Sequence, residues 1–186
     1  METISAGTHT YSYDEAGNLV SRFEQGRNIT TTLVYDEAGR IRSKTYTGTT
    51  PAVAYCYDGS TSGGCAGAPG GGSPQNLLGR LTMVANGVST TKYSAYDALG
   101  RVVSQAQTVA GQSYPFSNLY DHVGVTQVTY PSGRAVTYAY DGAGRVSSAA
   151  SGATEYAGSI TYAPHGAVEQ LRLGNGRARQ TESSRL

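Results

Sequence analysis

The chain of 186 residues carries 14 Lys and Arg against 13 Asp and Glu, so its formal net charge is only +1. This balance, with no basic stripe along the sequence, gives no electrostatic support for a nucleic-acid or membrane-surface partner. No run reaches the roughly 18 apolar residues that a transmembrane helix needs. The composition instead favours an all-β protein, because 25 glycines suit tight turns while 15 tyrosines, together with Thr and Val, suit half-buried strands.

A seven-residue motif recurs from the start of the chain. It reads YDEAGNL at residues 13–19 and YDEAGRI at 35–41, then YDALGRV at 96–102 and YDGAGRV at 140–146. Degenerate copies begin at three further tyrosines, Tyr57, Tyr120 and Tyr162. Successive marker tyrosines lie 20 to 24 residues apart, except for one step of 39. This period leaves room for two strands and two connections, and so predicts one antiparallel β-hairpin per repeat.

The residue types of the motif suit a hairpin turn. Tyrosines two positions apart, such as Tyr11 and Tyr13, share one face of a strand. The aspartate can accept a hydrogen bond from the backbone two residues on, and the glycine, for example Gly39, can take a left-handed conformation in a three-residue loop with a bulge. Because an isolated hairpin is marginal in water, we expect neighbouring hairpins to pair into one continuous twisted sheet with tyrosine ladders across its strands.

The long step contains an insertion. Residues 59–76 are rich in Gly, Ser and Pro, which predicts a flexible loop, and the repeat resumes with GRL at 79–81. The loop is therefore interpreted as the lengthened tip of a hairpin and not as a domain boundary. Cys56 and Cys65, the only cysteines, are compatible either with a disulfide or with two free thiols. Too few Cys and His residues cluster here for a zinc site.

The sequence predicts no catalytic, cofactor-binding or metal-binding residue. The histidines, His9, His122 and His165, have no nucleophile in a typical catalytic context beside them, and we assign them to turns or surface. One aspartate per repeat predicts turn capping, with calcium binding as the less favoured alternative. These aspartates are Asp14, Asp36, Asp58, Asp97, Asp121 and Asp141. The arginines Arg40, Arg80, Arg101 and Arg145 share one repeat position and are expected to lie beside them.

The motif and its spacing resemble the RHS/YD-repeat family, which includes bacterial Rhs polymorphic toxins, wall-associated proteins, the B and C subunits of Tc toxins, and teneurins. Seven copies cover residues 11–176, and the stretches YPSGR at 130–134 and LGNG at 173–176 are also similar to segments of such arrays. The resemblance implies that the hairpins form a strip of sheet which winds into a hollow shell around a C-terminal, often toxic, polypeptide.

Against that pattern, this sequence has no Asp-Pro-x-Gly-Leu signature of a self-cleaving core region, and seven hairpins are too few to close a shell. We therefore expect a segment of a larger polypeptide. The expected organisation is a hairpin array over residues 1–176, with the loop at 59–76, followed by a polar, solvated tail at 177–186.

The sequence thus predicts a non-catalytic structural segment of an RHS-repeat shell that encapsulates or presents a C-terminal effector. Its partners would be the remaining shell and that effector, and it would need no cofactor. The alternative is a carbohydrate- or cell-surface-binding repeat module, since exposed tyrosines can stack on sugar rings, although packing within the sheet is the favoured role for them. The resemblance implies a secreted or cell-surface location, while residues 1–7 show no signal peptide.

Overall fold

A computed structural model describes residues 8–70 and 75–181. Within these residues the chain contains fifteen strands, which form one open antiparallel sheet in the order of the sequence. The predicted all-β hairpin array is confirmed. No helix in the described part of the chain is long and apolar enough to cross a membrane. Residues 1–7, 71–74 and 182–186, which include parts of the predicted loop and tail, lie outside the described residues.

The strands are short, and most of their side chains are only half buried. They are β1 (His9–Tyr13), β2 (Leu19–Glu24), β3 (Ile29–Tyr35), β4 (Ile41–Tyr46), β5 (Val53–Tyr57), β6 (Leu81–Ala85), β7 (Ser89–Tyr96), β8 (Val102–Val109), β9 (Gln112–Tyr120), β10 (Val125–Thr129), β11 (Ala135–Tyr140), β12 (Val146–Ser151), β13 (Thr154–Tyr162), β14 (Val168–Leu173) and β15 (Ala178–Gln180). The chain divides into two compact units, residues 1–101 with 105–113, and residues 102–104 with 114–186.

The first unit shows how the motif closes a hairpin. Tyr13 pairs with Leu19 and Tyr35 pairs with Ile41, each with a shift of register just before the tyrosine. The shift is the bulge expected from the turn glycine, which has a φ of 74° at Gly39. A side chain with a Cβ is strained at such an angle, so glycine is the residue that this turn geometry favours. The predicted three-residue loop with a bulge is confirmed.

In the second unit the same closure recurs where Tyr140 pairs with Val146 and Tyr162 pairs with Val168. The array also extends further than predicted. The N–H of Leu173 donates to the carbonyl of Arg177 at 2.8 Å, and this turn returns the chain as β15, which pairs with β14. The predicted tail therefore begins with an edge strand. The side chains of β15 are exposed to solvent, which explains why its sequence is polar and resembles that of an unstructured tail.

The deepest packing lies in the first unit, around β5 and β6. Cys56, Cys65, Ala68 and Met83 form a buried cluster, against which Ala85 packs. Two of its members, Cys65 and Ala68, belong to the inserted loop. The insertion therefore supplies the apolar cover that one face of these strands would otherwise lack.

The insertion lengthens a hairpin tip, as predicted. The N–H of Asp58 donates to the carbonyl of Arg80 at 3.0 Å, which is the bond that closes the short turns elsewhere, and β5 pairs with β6 across it. Cys56 and Cys65 form a disulfide, with their Cα atoms 5.7 Å apart, so of the two alternatives the bridge is the one realised. Part of the loop is thereby anchored to β5, while the flexibility expected of residues 59–76 stays a prediction.

Candidate functional site

Each short turn is organised by its aspartate. Oδ1 of Asp36 accepts hydrogen bonds from the N–H groups of Ala38 at 3.0 Å and Arg40 at 2.9 Å, while Oδ2 accepts from Nε of Arg40 at 2.7 Å. The same three bonds recur around Asp97 and around Asp141. These aspartates cap turns, as predicted from their position in the motif.

The turn bonds also fix the charge state of the aspartates. The N–H of the arginine four residues on is the main cause that holds the pKa of Asp36, Asp97 and Asp141 below its usual value. In the first turn, the side-chain amide of Asn18 has the same effect on the pKa of Asp14. A carboxylate that is kept ionised and engaged by backbone N–H groups is suited to holding a turn, and poorly suited to exchanging protons near neutral pH.

The arginine of a turn then reaches the next hairpin along the chain. Within the first unit, the guanidinium carbon of Arg40 lies 4.3 Å from the ring centroid of Tyr57, and that of Arg80 lies 5.3 Å from the ring of Tyr96. Within the second unit, Arg145 lies 4.5 Å from the ring of Tyr162. These are cation–π contacts between the turn of one hairpin and the marker tyrosine of its successor. The sequence had predicted tyrosine ladders, whereas the structure stacks these three rings with arginine.

The hydroxyl of the marker tyrosine completes the connection. It donates to the carbonyl of the first residue in the return strand of the preceding hairpin, at distances of 2.5 to 2.9 Å. The pairs are Tyr35 with Leu19, Tyr96 with Leu81, Tyr120 with Val102, Tyr140 with Val125 and Tyr162 with Val146. We call the arginine–tyrosine contact, the hydroxyl bond, or both where both occur, the inter-hairpin joint; both occur at Tyr96 and at Tyr162.

Sequence reasoning missed this joint. The turn arginine and the next marker tyrosine lie 17 residues apart for Arg40 and Tyr57, and again for Arg145 and Tyr162. Arg80 and Tyr96 lie 16 residues apart, so a nearly constant offset was the available signal. It was not decisive because an offset of this length places two residues in neighbouring hairpins without showing which faces they share.

The joint differs beside the insertion. Arg40 forms a bidentate ion pair with Asp58, with Nη2 to Oδ2 at 2.7 Å and Nη1 to Oδ1 at 3.3 Å. Arg40 also pairs with Asp36 of its own turn. The side-chain hydrogen bond from Arg40 is the main cause that lowers the pKa of Asp58, and the two aspartates together raise the pKa of Arg40.

Asp58 does not pair with Arg80, the arginine of its own turn, because the carboxylate of Asp58 is already engaged by Arg40 and by the N–H of Gly79 at 2.5 Å. Arg80 lies instead over Tyr96 and against Gly100, where a Cβ atom would fall 2.2 Å from Nη1 of Arg80. At the other turns with an Asp–Arg motif, Asp36, Asp97 and Asp141 each pair with the arginine of their own turn.

The histidines are not gathered into one place. His9 lies on the exposed strand β1 with its ring 6.4 Å from that of Tyr11, while His122 and His165 lie in turns. Among residues 8–70 and 75–181, no group of three or more His, Cys, Asp or Glu side chains could hold a metal ion.

Open grooves lie along the sheet in both units, and two of them are lined by tyrosine and arginine side chains. In the first unit a groove of about 620 Å³ is lined by Tyr55, Arg42, the serines Ser60 and Ser62, and both cysteines, along with the joint around Arg40. In the second unit, Tyr130, Arg134 and Tyr156 border a groove of about 450 Å³. Tyr130 and Tyr156 keep 38% and 36% of their surface exposed, so their rings are accessible to a ligand.

Comparison with known proteins identifies the repeat. A family model described as RHS Repeat matches residues 120–155. Residues 120–155 therefore carry an RHS repeat. A comparison with curated proteins finds no match.

Among solved structures, the chain is similar to TcdB2-TccC3 at a TM-score of 0.82 and 18% identity. It is also similar to TcdB2-TccC3-Cdc42 at a TM-score of 0.80 and 17% identity. Each match covers 98% of this chain but only 10% of the other chain. At this identity the likeness shows a shared fold, and the chain spans about a tenth of the length of the proteins it resembles.

Proposed function

We propose that this chain is a non-catalytic structural segment of an RHS-repeat shell, which forms part of a larger polypeptide and encapsulates or presents a C-terminal effector. The observation that carries this proposal is the inter-hairpin joint. It recurs within each of the two units and links successive hairpins there, so that one hairpin is stabilised by its neighbours. Such an arrangement suits the building of an extended wall.

The proposed absence of catalysis rests on how the reactive side chains are used. Asp36, Asp97 and Asp141 are engaged by backbone N–H groups and by arginine, and Arg40 is held between two carboxylates. A catalytic acid or base needs freedom to exchange protons with a substrate. These aspartates and Arg40 instead hold turns and joints.

The comparisons support the shell role in a further way. The RHS-repeat chain follows TcdB2-TccC3 over nearly its whole length but spans only 10% of that structure's chain. A segment of this size supplies one stretch of a much larger sheet. We propose the remaining shell and the effector as its partners, and the secreted or cell-surface location that goes with them.

Encapsulation can be tested by protection from a protease. The full-length polypeptide that contains this chain would carry an epitope at its C-terminus and be digested under native conditions. We expect the epitope to survive in the wild type and to be lost faster in the double variant Tyr140→Ala and Tyr162→Ala, which breaks two joints.

Tyr114→Ala provides the matched control, because the ring of Tyr114 is 46% exposed and makes none of the joint bonds. Digestion of the epitope at one rate in all three proteins would show that the array does not enclose the C-terminal polypeptide.

The second candidate function is binding of carbohydrate or another cell-surface ligand. It is favoured by the groove that Tyr130, Tyr156 and Arg134 line together, since the two tyrosines are partly exposed there. Aromatic rings with a nearby cation can stack on a sugar and hydrogen bond to it. Glycan-array binding that is lost in Tyr130→Ala and Tyr156→Ala, while the stability of the fold is kept, would support this function over the purely structural one.

A further inference from the structure

The inserted loop is anchored in two different ways. Its return limb, residues 75–79, hydrogen bonds to the end of β7, where the N–H of Tyr96 donates to the carbonyl of Gln75 at 3.0 Å and Nδ2 of Asn76 donates to the carbonyl of Tyr96 at 2.9 Å. Its outgoing limb, residues 60–70, carries Cys65, which is bonded covalently to Cys56 of β5. One limb is therefore held by hydrogen bonds and the other by a disulfide.

The hydrogen bonds of the outgoing limb are local. The N–H of Cys65 donates to the carbonyl of Ser62, and that of Ala68 donates to the carbonyl of Cys65, both within the limb itself. The N–H of Ser60, where the limb begins, donates to the carbonyl of Tyr57 at the end of β5, only three residues before it. Sγ of Cys65 lies 3.9 Å from the carbonyl oxygen of Tyr55, but a disulfide sulfur has no hydrogen to donate. Apart from the disulfide, the described part of the limb meets the sheet through the packing of Cys65 and Ala68 and through side chains that lie beside its glycines, among them Arg42 beside Gly63. On the limb's side these contacts come from small side chains and glycine backbone, so they bury little apolar area.

The outgoing limb covers the most buried part of the sheet. Only 1% of the surface of Cys56 and 2% of that of Met83 is exposed to solvent. Cys65 and Ala68 of the limb complete the buried cluster over them. The limb also supplies Ser60 and Ser62 to the wall of the 620 Å³ groove. Displacement of the limb would both uncover an apolar patch and open one side of that groove.

We propose that the Cys56–Cys65 disulfide is a redox-releasable latch that holds the outgoing limb over β5 and β6. In the oxidised chain the limb is fixed and the patch is covered. When the bridge is reduced, the limb detaches while the return limb stays bound to β7. The hairpin itself stays closed, because its closing bond between Asp58 and Arg80 does not involve the limb.

The chemistry of release is thiol–disulfide exchange with a small dithiol or with glutathione. A thiolate of the reductant attacks one sulfur of the bridge and forms a mixed disulfide, while the other cysteine leaves as a thiolate and takes up a proton. A second reductant thiol then frees the first cysteine, so that two protein thiols and one oxidised reductant disulfide result. Both cysteines line the groove, which gives the reductant its route.

The two states match two kinds of compartment. An oxidising exterior keeps the bridge intact, whereas the glutathione and thioredoxin systems of a cytosol reduce accessible disulfides. The exposed fractions of 1% at Cys56 and 4% at Cys65 mean that attack requires the groove to widen, so release is expected to be slower than reduction of a surface disulfide.

Hydrogen exchange of the full chain, measured by mass spectrometry with and without dithiothreitol, tests the latch. We expect exchange in residues 60–70 to rise by about tenfold or more after reduction, since the covalent constraint is removed. Exchange in residues 75–79 and in β12 should stay unchanged. Alkylation of the two freed thiols confirms that the bridge was reduced under native conditions.

The double variant Cys56→Ala and Cys65→Ala is the matched protein without a latch. It should show the fast exchange in residues 60–70 with or without reductant, and should retain the same sheet by circular dichroism. Two results would overturn the proposal: complete reduction with no change of exchange in the outgoing limb, or a bridge that dithiothreitol cannot reduce while the sheet is folded. The wild-type comparison decides the question even if the variant does not fold.

Discussion

The hairpin β5–β6 carries the long insertion, and the hairpin β11–β12 has a short turn, yet both close with one backbone bond of the same kind. The N–H of Asp58 donates to Arg80 at 3.0 Å, and that of Asp141 donates to Arg145 at 2.8 Å. Closure therefore depends on the residues that flank the turn and not on its length. The loss of entropy grows only slowly with loop length, which is why a long insertion is tolerated at this position.

The two hairpins differ in what the aspartate side chain does. Asp141 binds the arginine of its own turn, whereas Asp58 binds Arg40 of the preceding hairpin and leaves Arg80 to lie over Tyr96. The comparison teaches that the motif fixes the backbone of the turn, while the choice of ion-pair partner depends on which side chains the neighbouring hairpin brings within reach.

The two hairpins should differ most in how much stability is lost when the side chain at the same position of the return strand is truncated. Met83→Ala removes a side chain that is 98% buried, because only 2% of its surface is exposed, and should lower the free energy of unfolding by about 2–4 kcal/mol. Ser148→Ala, at the equivalent position of β12, should change it by about 0.5 kcal/mol or less. Urea denaturation of both variants measures this, and equal losses would contradict a core made by the insertion.

Next in size is the effect of the turn glycines. Gly39→Val forces a β-branched residue to a φ of 74° and should cost about 1–3 kcal/mol of unfolding free energy. Gly100→Val should cost more, because its Cβ would also displace the guanidinium of Arg80, whereas the space beside Gly39 is open. Thermal or urea unfolding compares the two. If Gly39→Val were as stable as the wild type, the left-handed conformation assigned to Gly39 would be wrong.

Loss of a single tyrosine hydroxyl should have a smaller effect. Tyr96→Phe and Tyr162→Phe each remove the bond to the preceding hairpin and should destabilise the chain by about 1 kcal/mol. Only 9% of the surface of Tyr96 is exposed to solvent, so the carbonyl of Leu81 would be left without a hydrogen bond in a place that water reaches poorly. The loss of stability should therefore be greater for Tyr96→Phe than for Tyr162→Phe. Tyr114→Phe is the control without a joint, and a loss equal to the others would argue against the joint.

The smallest expected effect is on the dependence of stability on pH. The folded-state pKa of Asp58 lies below its unfolded value of about 4, so the ionised carboxylate stabilises the fold above that pH, and the contribution is lost as the pH falls through the folded pKa. Asp58→Asn should therefore show a shallower loss of stability than the wild type on acidification below about pH 4. Urea midpoints across this range measure it.

Asp141→Asn provides the comparison for this titration, because its pKa is lowered chiefly by the backbone N–H of Arg145 and not by the ion pair of a neighbouring hairpin. Each aspartate contributes part of the stability that is lost on acidification. We expect high salt to reduce the part due to Asp58 more than the part due to Asp141, because salt screens a solvent-accessible ion pair. The same salt response in both variants would remove the distinction between the two aspartates.

The fold was predictable from the sequence to an unusual extent, because its information is local and repeated. The spacing of the marker tyrosines gave the hairpins, and the Asp and Gly positions gave the turn with its bulge, which Gly39 and Gly144 adopt at φ of 74° and 76°. The lengthened tip between Tyr57 and Leu81 also followed from the motif alone. The strand β15 was missed because its polar residues look the same in an exposed edge strand and in a tail.

The candidate site was less predictable, since its bonds connect different hairpins. The stacking of Arg40 on Tyr57 and the hydroxyl bond of Tyr35 to Leu19 depend on which faces two separate turns present to one another. The sequence left the partner of Arg40 open between several aspartates, and its two cysteines open between a bridge and free thiols.

By itself the sequence determined that this chain is a row of hairpins, because each turn is specified by four or five neighbouring residues whose conformations are intrinsic to their type. Only the tertiary structure decided how the row is held together. The arginine of one turn, the tyrosine of the next hairpin, and the disulfide beneath the inserted loop meet across the sheet, and the free energy of those contacts depends on distances that exist only after the hairpins have paired.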